Sequence, residues 1–388
     1  MIIHSNYAEL GEIVDCLDSL RIPVSDEERQ KRKGDIPYYG ANGRVGVIDK
    51  SLFDEKLLLL SEDGGSWGPN ERCAYIISGK SWVNNHAHVL RCRRNTDIRF
   101  LMYFLNYVDL RSHISGTTRG KLNQQRMNQI KVFLPEITIQ RKIAKILTRA
   151  EATLEKRRQT LRLADEFLKS AFLEMFGDPQ KKKFRWEIVA LGDADISIID
   201  GDRGSNYPKQ NEFFETGYCL FLNTKNVTKE GFSFESRMFI SQEKDSQLKK
   251  GKIGRNDLIL TTRGTVGNVA IYDDSVPFQN VRINSGMVIL RPNLKALNLT
   301  FLYHLFKTEY IKNQISSISS GCAQPQLPIS SLKQLRIFIP NLPEQQKFVD
   351  LVQKVERLKE KQKQSETQLQ NLFNSLMQRA FNRELLTT

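Results

Sequence analysis

Apolar residues recur at alternating steps of four and three through one long stretch, Glu136 to about Phe176. Ile143, Leu147, Ala150, Leu154, Arg157, Leu161, Ala164, Leu168, Ala171 and Met175 keep that spacing, and nine of the ten are apolar. A stripe of this kind over more than four heptads predicts a coiled-coil helix. Pro135 stands before it and Gly177-Asp178-Pro179 after it, since glycine accepts the left-handed cap and proline ends the helix. At about 1.5 Å per residue such a helix runs on the order of 60 Å, so it needs a partner.

The pattern predicts that partner in the same chain. Ile339-Pro340-Asn341-Leu342-Pro343-Glu344-Gln345 opens a second helix reaching about Phe381. Its apolar stripe reads Phe348, Leu351, Val355, Leu358, Leu369, Leu372 and Leu376, with Gln362 and Ser365 as polar exceptions. The two stretches align without a gap: Pro135/Pro340, Gln140/Gln345, Lys142/Lys347 and Phe176/Phe381 are each 205 residues apart. The match continues upstream through Ile130/Leu335, Leu122/Leu327 and Gly116/Gly321. The chain is duplicated.

Between the helices the periodicity drops to that of strands and turns. Ile36 to Gly43 reads as turns; Val45–Ile48, Leu57–Leu60, Ala74–Ile77 and His88–Arg91 read as strands, and Phe100 to Leu110 as a helix. Gly116 to Gly120 reads as a loop, and Lys181-Lys182-Lys183 as a short basic linker. Leu258 to Gly264 mirrors the run ending at Gly64, and Ile289-Leu290-Arg291 mirrors Val89-Leu90-Arg91, both at an offset of 200. The expected fold is α+β: two α/β domains, 1–135 and 181–340, and two long antiparallel helices, 136–180 with its linker and 341–388. Antiparallel helices would hold the domains at opposite ends of a rod, giving a pseudo-twofold internal repeat that matches the dyad of duplex DNA.

Composition narrows the class. The net charge is +14 in 388 residues, which points to a polyanion partner, nucleic acid first. No apolar run approaches 18 residues and no signal-peptide pattern opens the chain, so no membrane partner and a cytoplasmic location are expected. Five scattered cysteines with no Cys-x-x-Cys predict neither a disulfide framework nor a structural zinc site.

Catalytic motifs are missing from the sequence. Gly79-Lys80-Ser81 has Ala74 where a phosphate loop needs its first glycine, and no Asn/Asp-Pro-Pro-aromatic methyltransferase signature occurs. His86 and His88 are two apart, hence on one face of a predicted strand, with no ligand-spaced Cys, Asp or Glu beside them. No catalytic, cofactor-binding or metal residue is assigned.

What remains is a set of polar, aromatic and basic loops suited to major-groove reading, because arginine pairs bidentately with guanine and asparagine with adenine. In the first domain the candidates are Tyr38, Tyr39, Asn42, Arg44, Ser66, Asn84, Asn85, His86, Arg119 and Lys121. In the second they are Asp202, Arg203, Asn206, Tyr207, Thr261, Arg263, Asn280, Arg282 and Asn284. On the helices, Ile146, Phe167, Phe172, Val352 and Phe373 lie off the expected seams and are candidates for docking further subunits.

These stretches resemble the specificity subunits of type I restriction-modification systems. The resemblance rests on Ile36 to Gly43, Trp82 to Leu90, Leu134-Pro135, Ile339-Pro340 and Leu342-Pro343-Glu344-Gln345-Gln346, and its architecture spans essentially the whole chain. The first helix departs from the family's Leu-Pro-x-x-x-Glu-Gln pattern, with Ile139 where glutamate would stand. The resemblance implies a non-catalytic reader of double-stranded DNA, each domain a target recognition domain for half of a split sequence. The helices would set the spacer and dock two methyltransferase subunits, which carry S-adenosylmethionine for adenine N6 methylation. Restriction subunits would bring ATP and magnesium. The alternatives are a coiled-coil interaction scaffold and the reader of a methylation-only system.

Overall fold

The run Leu57-Leu58-Leu59-Leu60 does not alternate, because both of its faces are covered. The computed structural model describes residues 7–116, 119–181, 184–319 and 325–382. In it the strand Leu57–Ser61 is buried throughout. Leu58 and Leu60 join the cluster around Phe100, Phe104 and Ile143, while Leu57 and Leu59 join Tyr75, Val83 and Val89. A strand sandwiched in this way reads as a continuous apolar run. Asp257–Thr261 repeats the arrangement: Leu258 and Leu260 face one cluster and Ile259 the other.

By its contacts the chain divides into two units, Met1–Thr160 with Gln362–Thr388, and Leu161–Lys361. Unit 1 contains a four-stranded antiparallel sheet in the order Val14–Cys16, Ala87–Cys92, Leu57–Ser61, Ala74–Ile77. Unit 2 repeats it as Ile196–Asp200, Met287–Pro292, Asp257–Thr261, Val269–Tyr272. Each unit adds a second sheet with one parallel pair, Tyr38 opposite Trp82 in unit 1 and Leu220 opposite Val281 in unit 2. Ile36–Gly40, expected as turns, is a strand of that second sheet, and only Ala41-Asn42 turns before Gly43–Ile48. The Gly116–Gly120 loop and the basic linker fall partly, and Gly321 wholly, outside the described residues.

Each sheet packs against a short helix, Ile98–Tyr107 or Leu299–Phe306. These are capped by the side chains of Asp97 and Asn298, which accept from the first free backbone N–H groups. A fully buried glutamine then ties each short helix to the start of a long one. Gln140 accepts from the Asp97 N–H at 2.8 Å and donates to the carbonyls of Asn95 and Pro135 at 3.0 and 2.8 Å. Gln345 accepts from Asn298 at 2.7 Å and donates to Ala296 and Pro340 at 3.2 and 2.7 Å.

The long helices are Ile137–Phe176 and Leu342–Phe381, 40 residues each. Gly177 ends the first with φ +85°, its N–H on the Leu173 carbonyl. Within unit 1 the helices run antiparallel: Ile143 and Leu147 share a core with Met377 and Phe381, while Arg158 reaches Glu366 and Gln370. Unit 2 contains the complementary halves, Phe172 against Phe348 and Asp165 paired with Lys359.

All ten seam positions expected for the first helix are buried or half-buried. The second helix differs by one position in alternate turns. Leu358 and Leu372 are exposed, and the sheltered series is Phe348, Val352, Val355, Lys359, Gln362, Glu366, Leu369, Phe373, Leu376 and Ala380. That series is the first seam displaced by 205. Val352 and Phe373 therefore belong to the seam rather than to a docking stripe.

Arg157 and its repeat equivalent Gln362 meet at the middle of the pair and hydrogen-bond each other. The Arg157 Nε is buried without a partner among the described residues. A polar pair at seam positions costs stability while fixing register. Replacing both residues with leucine is expected to raise stability by about 1–3 kcal/mol in thermal unfolding; an unchanged or lowered midpoint would show that the pair is not a net cost.

Candidate nucleic-acid interface

In both units the strand leaving the four-stranded sheet makes the same corner. The Asn84 N–H donates to the Tyr39 carbonyl and Asn284 to that of Leu222, both at 3.0 Å. Each asparagine side chain then accepts from the N–H two residues on, His86 or Gly286, at 2.9 Å. Glu62 and Thr262 donate to the carbonyls of those same residues and accept from the N–H groups of Leu122 and Leu327. Gly64 and Gly264 turn the chain with φ of +65° and +68°, a region open to glycine. Asp63 bridges to Lys121, and Arg263 to Gln326.

On this shared backbone the side chains differ. In unit 1, four expected residues converge. The Asn42 amide donates to the Gly64 carbonyl at 3.0 Å, His86 Nδ1 and Arg119 meet Asp63, and Lys121 pairs with Glu62 at 2.9 Å. Beneath them lies a buried ionic layer: Arg21 joins Asp18 and Glu62, and His88 lies between Asp18 at 2.5 Å and the Leu122 carbonyl at 2.7 Å. Burial opposes ionisation of Asp18, but His88 and the Val89 N–H outweigh it and hold the carboxyl below its usual range.

The ligand atoms of Cys16, Asp18 and His88 lie within 4.8 Å of one another. Both His88 nitrogens already face protein acceptors, and burial pushes the Cys16 thiol up to about 11, so the group reads as a packed hydrogen-bonded core. His86 precedes the strand and is half-exposed, so the two histidines do not share a face as expected. The cysteines Cys16, Cys73, Cys92 and Cys219 are all unpaired.

In unit 2, Arg203, Thr262, Arg263 and Gln326 line a hollow of about 190 Å³. Arg203 leans on Asp200 and the Ser285 carbonyl, whereas exposed Arg263 makes no side-chain hydrogen bond or ion pair among the described residues. An arginine so placed has its whole donor fork available for an incoming acceptor.

Several other expected readers are structural. Tyr38 is buried beneath Arg29, and Tyr39 packs toward Tyr75. Thr261 is buried with its hydroxyl on the Thr265 carbonyl. Tyr207 stacks edge-on against Phe221, and Asp202 caps the N–H groups of Gly204, Lys249 and Lys250. Asn84 and Asn284 are the turn formers described above. Arg282 is only 5% exposed, its guanidinium filled by Asp245 and three backbone carbonyls, so it is an anchor rather than a reader.

Arg44, Ser66, Asn85 and Asn206 are exposed, and Asn280 half-exposed with its carbonyl accepting from Leu220. On the helices Ile146 and Phe167 are exposed, whereas Phe172 is 2% exposed, packed among Phe176, Phe301 and Phe348. The docking expectation for Phe172, Val352 and Phe373 is therefore corrected: each packs within its own unit.

Two corner residues had no place in the expected set. Asp63 and Gln326 are made visible by the repeat offsets, since Asp63 stands 200 residues before Arg263, and Gln326 stands 205 after Lys121.

The family model described as the type I restriction modification DNA specificity domain matches residues 4–162 and 185–371. A putative type I restriction enzyme specificity subunit of Haemophilus influenzae is 26% identical over 357 residues, covering 90% of this chain and 87% of the relative. The MjaVIII specificity subunit of Methanocaldococcus jannaschii is 25% identical over 359 residues, covering 86% and 80%. The crystal structure of a type I restriction-modification S subunit from M. genitalium superposes with a TM-score of 0.57 at 15% identity, covering 98% of this chain and 97% of that one. The fold is shared with it.

Proposed function

Because the chain belongs to the type I restriction-modification DNA specificity family, we propose that each unit reads one half of a bipartite DNA target at the corner it repeats. One observation carries this reading. The same backbone corner is built twice, and it presents Asp63, His86, Arg119 and Lys121 in one unit but Arg203, Arg263 and Gln326 in the other. A duplicated frame with different donors and acceptors is what two unlike half-sites require. The net charge of +14 supplies the phosphate attraction that any such site needs.

In this reading the paired helices set the spacer. Exposed Ile146 and Phe167 dock two methyltransferase subunits. Those subunits bring S-adenosylmethionine, and restriction subunits bring ATP and magnesium.

The test is co-expression with candidate methyltransferase subunits and genome-wide mapping of N6-methyladenine. A split motif is expected that disappears when this chain is omitted. Replacing Arg263 with alanine should lower discrimination about tenfold at one or two base pairs of one half only, as loss of a bidentate arginine does. Methylation that is independent of the chain would refute the proposal.

A further inference from the structure

We propose, resting on the half-site reading above, that Asp63 is a positioning residue that aims Arg119 and His86 at the DNA. Asp63 Oδ1 accepts from His86 Nδ1 at 2.8 Å and from Arg119 Nη2 at 2.7 Å. The carboxylate is sheltered, its side chain 14% exposed, while the side chains it holds are 39% exposed for His86 and 66% for Arg119. The anion sits behind and the donors stand in front.

The hydrogen bonds leave capacity unused. Among the described residues the Arg119 guanidinium pairs with Asp63 alone, and Arg119 has five N–H donors. With Nδ1 on Asp63, the His86 Nε2 has no partner among the described residues. Lys121 is held in the same manner by Glu62, so the corner presents its basic groups from an acidic backing.

That backing is not needed to build the turn. The equivalent position in unit 2 is Arg263, of opposite charge, and the equivalent of His86 is Gly286, yet the backbone hydrogen bonds and the positive-φ glycine are the same. Nor is an ion pair to so exposed an arginine a significant source of stability. Its effect is to restrict a long, rotamer-rich side chain before DNA arrives, which reduces the ordering cost of binding and fixes which base edge is met.

The experiment uses the full chain with its methyltransferase partners and compares wild type, Asp63→Ala and Asp63→Glu by N6-methyladenine mapping and by thermal unfolding. Asp63→Ala is expected to lower discrimination about tenfold at one or two base pairs of a single half-site. The other half-site and the unfolding midpoint stay unchanged, and Asp63→Glu restores much of the lost discrimination. An unaltered motif in Asp63→Ala overturns the inference. So does a loss at both half-sites, or a lowered midpoint that glutamate fails to restore, either of which marks a structural role. If the wild-type chain directs no split motif, the half-site reading itself falls and takes this inference with it.

Discussion

Replacing Arg282 with alanine is expected to destabilise unit 2 by about 3 kcal/mol. Its guanidinium donates to Asp245 Oδ1 at 2.5 Å, to the Lys250 carbonyl at 2.6 Å, and to the carbonyls of Asp245 and Leu248 at 2.8 and 3.0 Å. Truncation strands the Lys250 and Leu248 carbonyls, leaves the Asp245 carbonyl to the Leu248 N–H, and leaves a buried carboxylate whose remaining cation is Lys252, 2.6 Å away and half-exposed. Lys252 keeps the loss at the lower end of what breaking a buried pair costs.

The pH dependence of this pair follows from Asp245. Burial opposes its ionisation, but Lys252 and Arg282 outweigh burial and hold its carboxyl below the usual range. A carboxyl lowered on folding contributes stability that is present above the ordinary aspartate range, about pH 4, and lost as pH falls through its folded value. Denaturant unfolding at neutral pH and below pH 4 measures both effects: the wild type and Arg282→Ala should differ less in acid. A loss under about 1 kcal/mol at neutral pH, with altered DNA selectivity, would return Arg282 to the readers.

Arg282 also marks where the sequence stops being legible. An arginine between Val281 and Ile283, in a chain of this charge, looks like a surface reader. What buries it is Asp245, 37 residues away on a different element, and no local pattern records that pairing. The runs 57–60 and 258–260 were legible because burial on both faces writes itself as an unbroken apolar run.

The second long helix was legible in extent but not in register. Leu351, Leu358 and Leu372 form a plausible stripe, while the actual seam keeps the expected Gln362 but passes through Lys359 and Glu366, which hydropathy discounts. The information was present in another form: the offset of 205, applied to the first seam, gives the second position by position. At the corner the same device finds Asp63 from Arg263. The convergence of Asn42, His86, Arg119 and Lys121 on residues 62–64 depends on long-range pairing and required the structure.

The repeated glutamines lead to the other large expected effect. Gln140→Leu and Gln345→Leu preserve side-chain volume but each leaves one buried N–H and two carbonyls without their partner. Unsatisfied groups cost about 1–3 kcal/mol each, and partial relaxation brings the expected loss to roughly 3 kcal/mol per substitution. Because the three bonds recur in both units, the two losses should agree within about 1 kcal/mol.

Hydrogen exchange locates the effect. Gln140→Leu should accelerate exchange in Ala87–Cys92 and Gln345→Leu in Met287–Pro292, each within the unit that contains it. A large loss from one substitution and almost none from the other would mean that the equivalent geometry does not carry equivalent energy. Equal losses would identify the glutamine as the fastening between each recognition sheet and its long helix. Under the proposed half-site reading, that fastening must be stiff for the corner on the sheet to present its donors in a fixed orientation to the DNA.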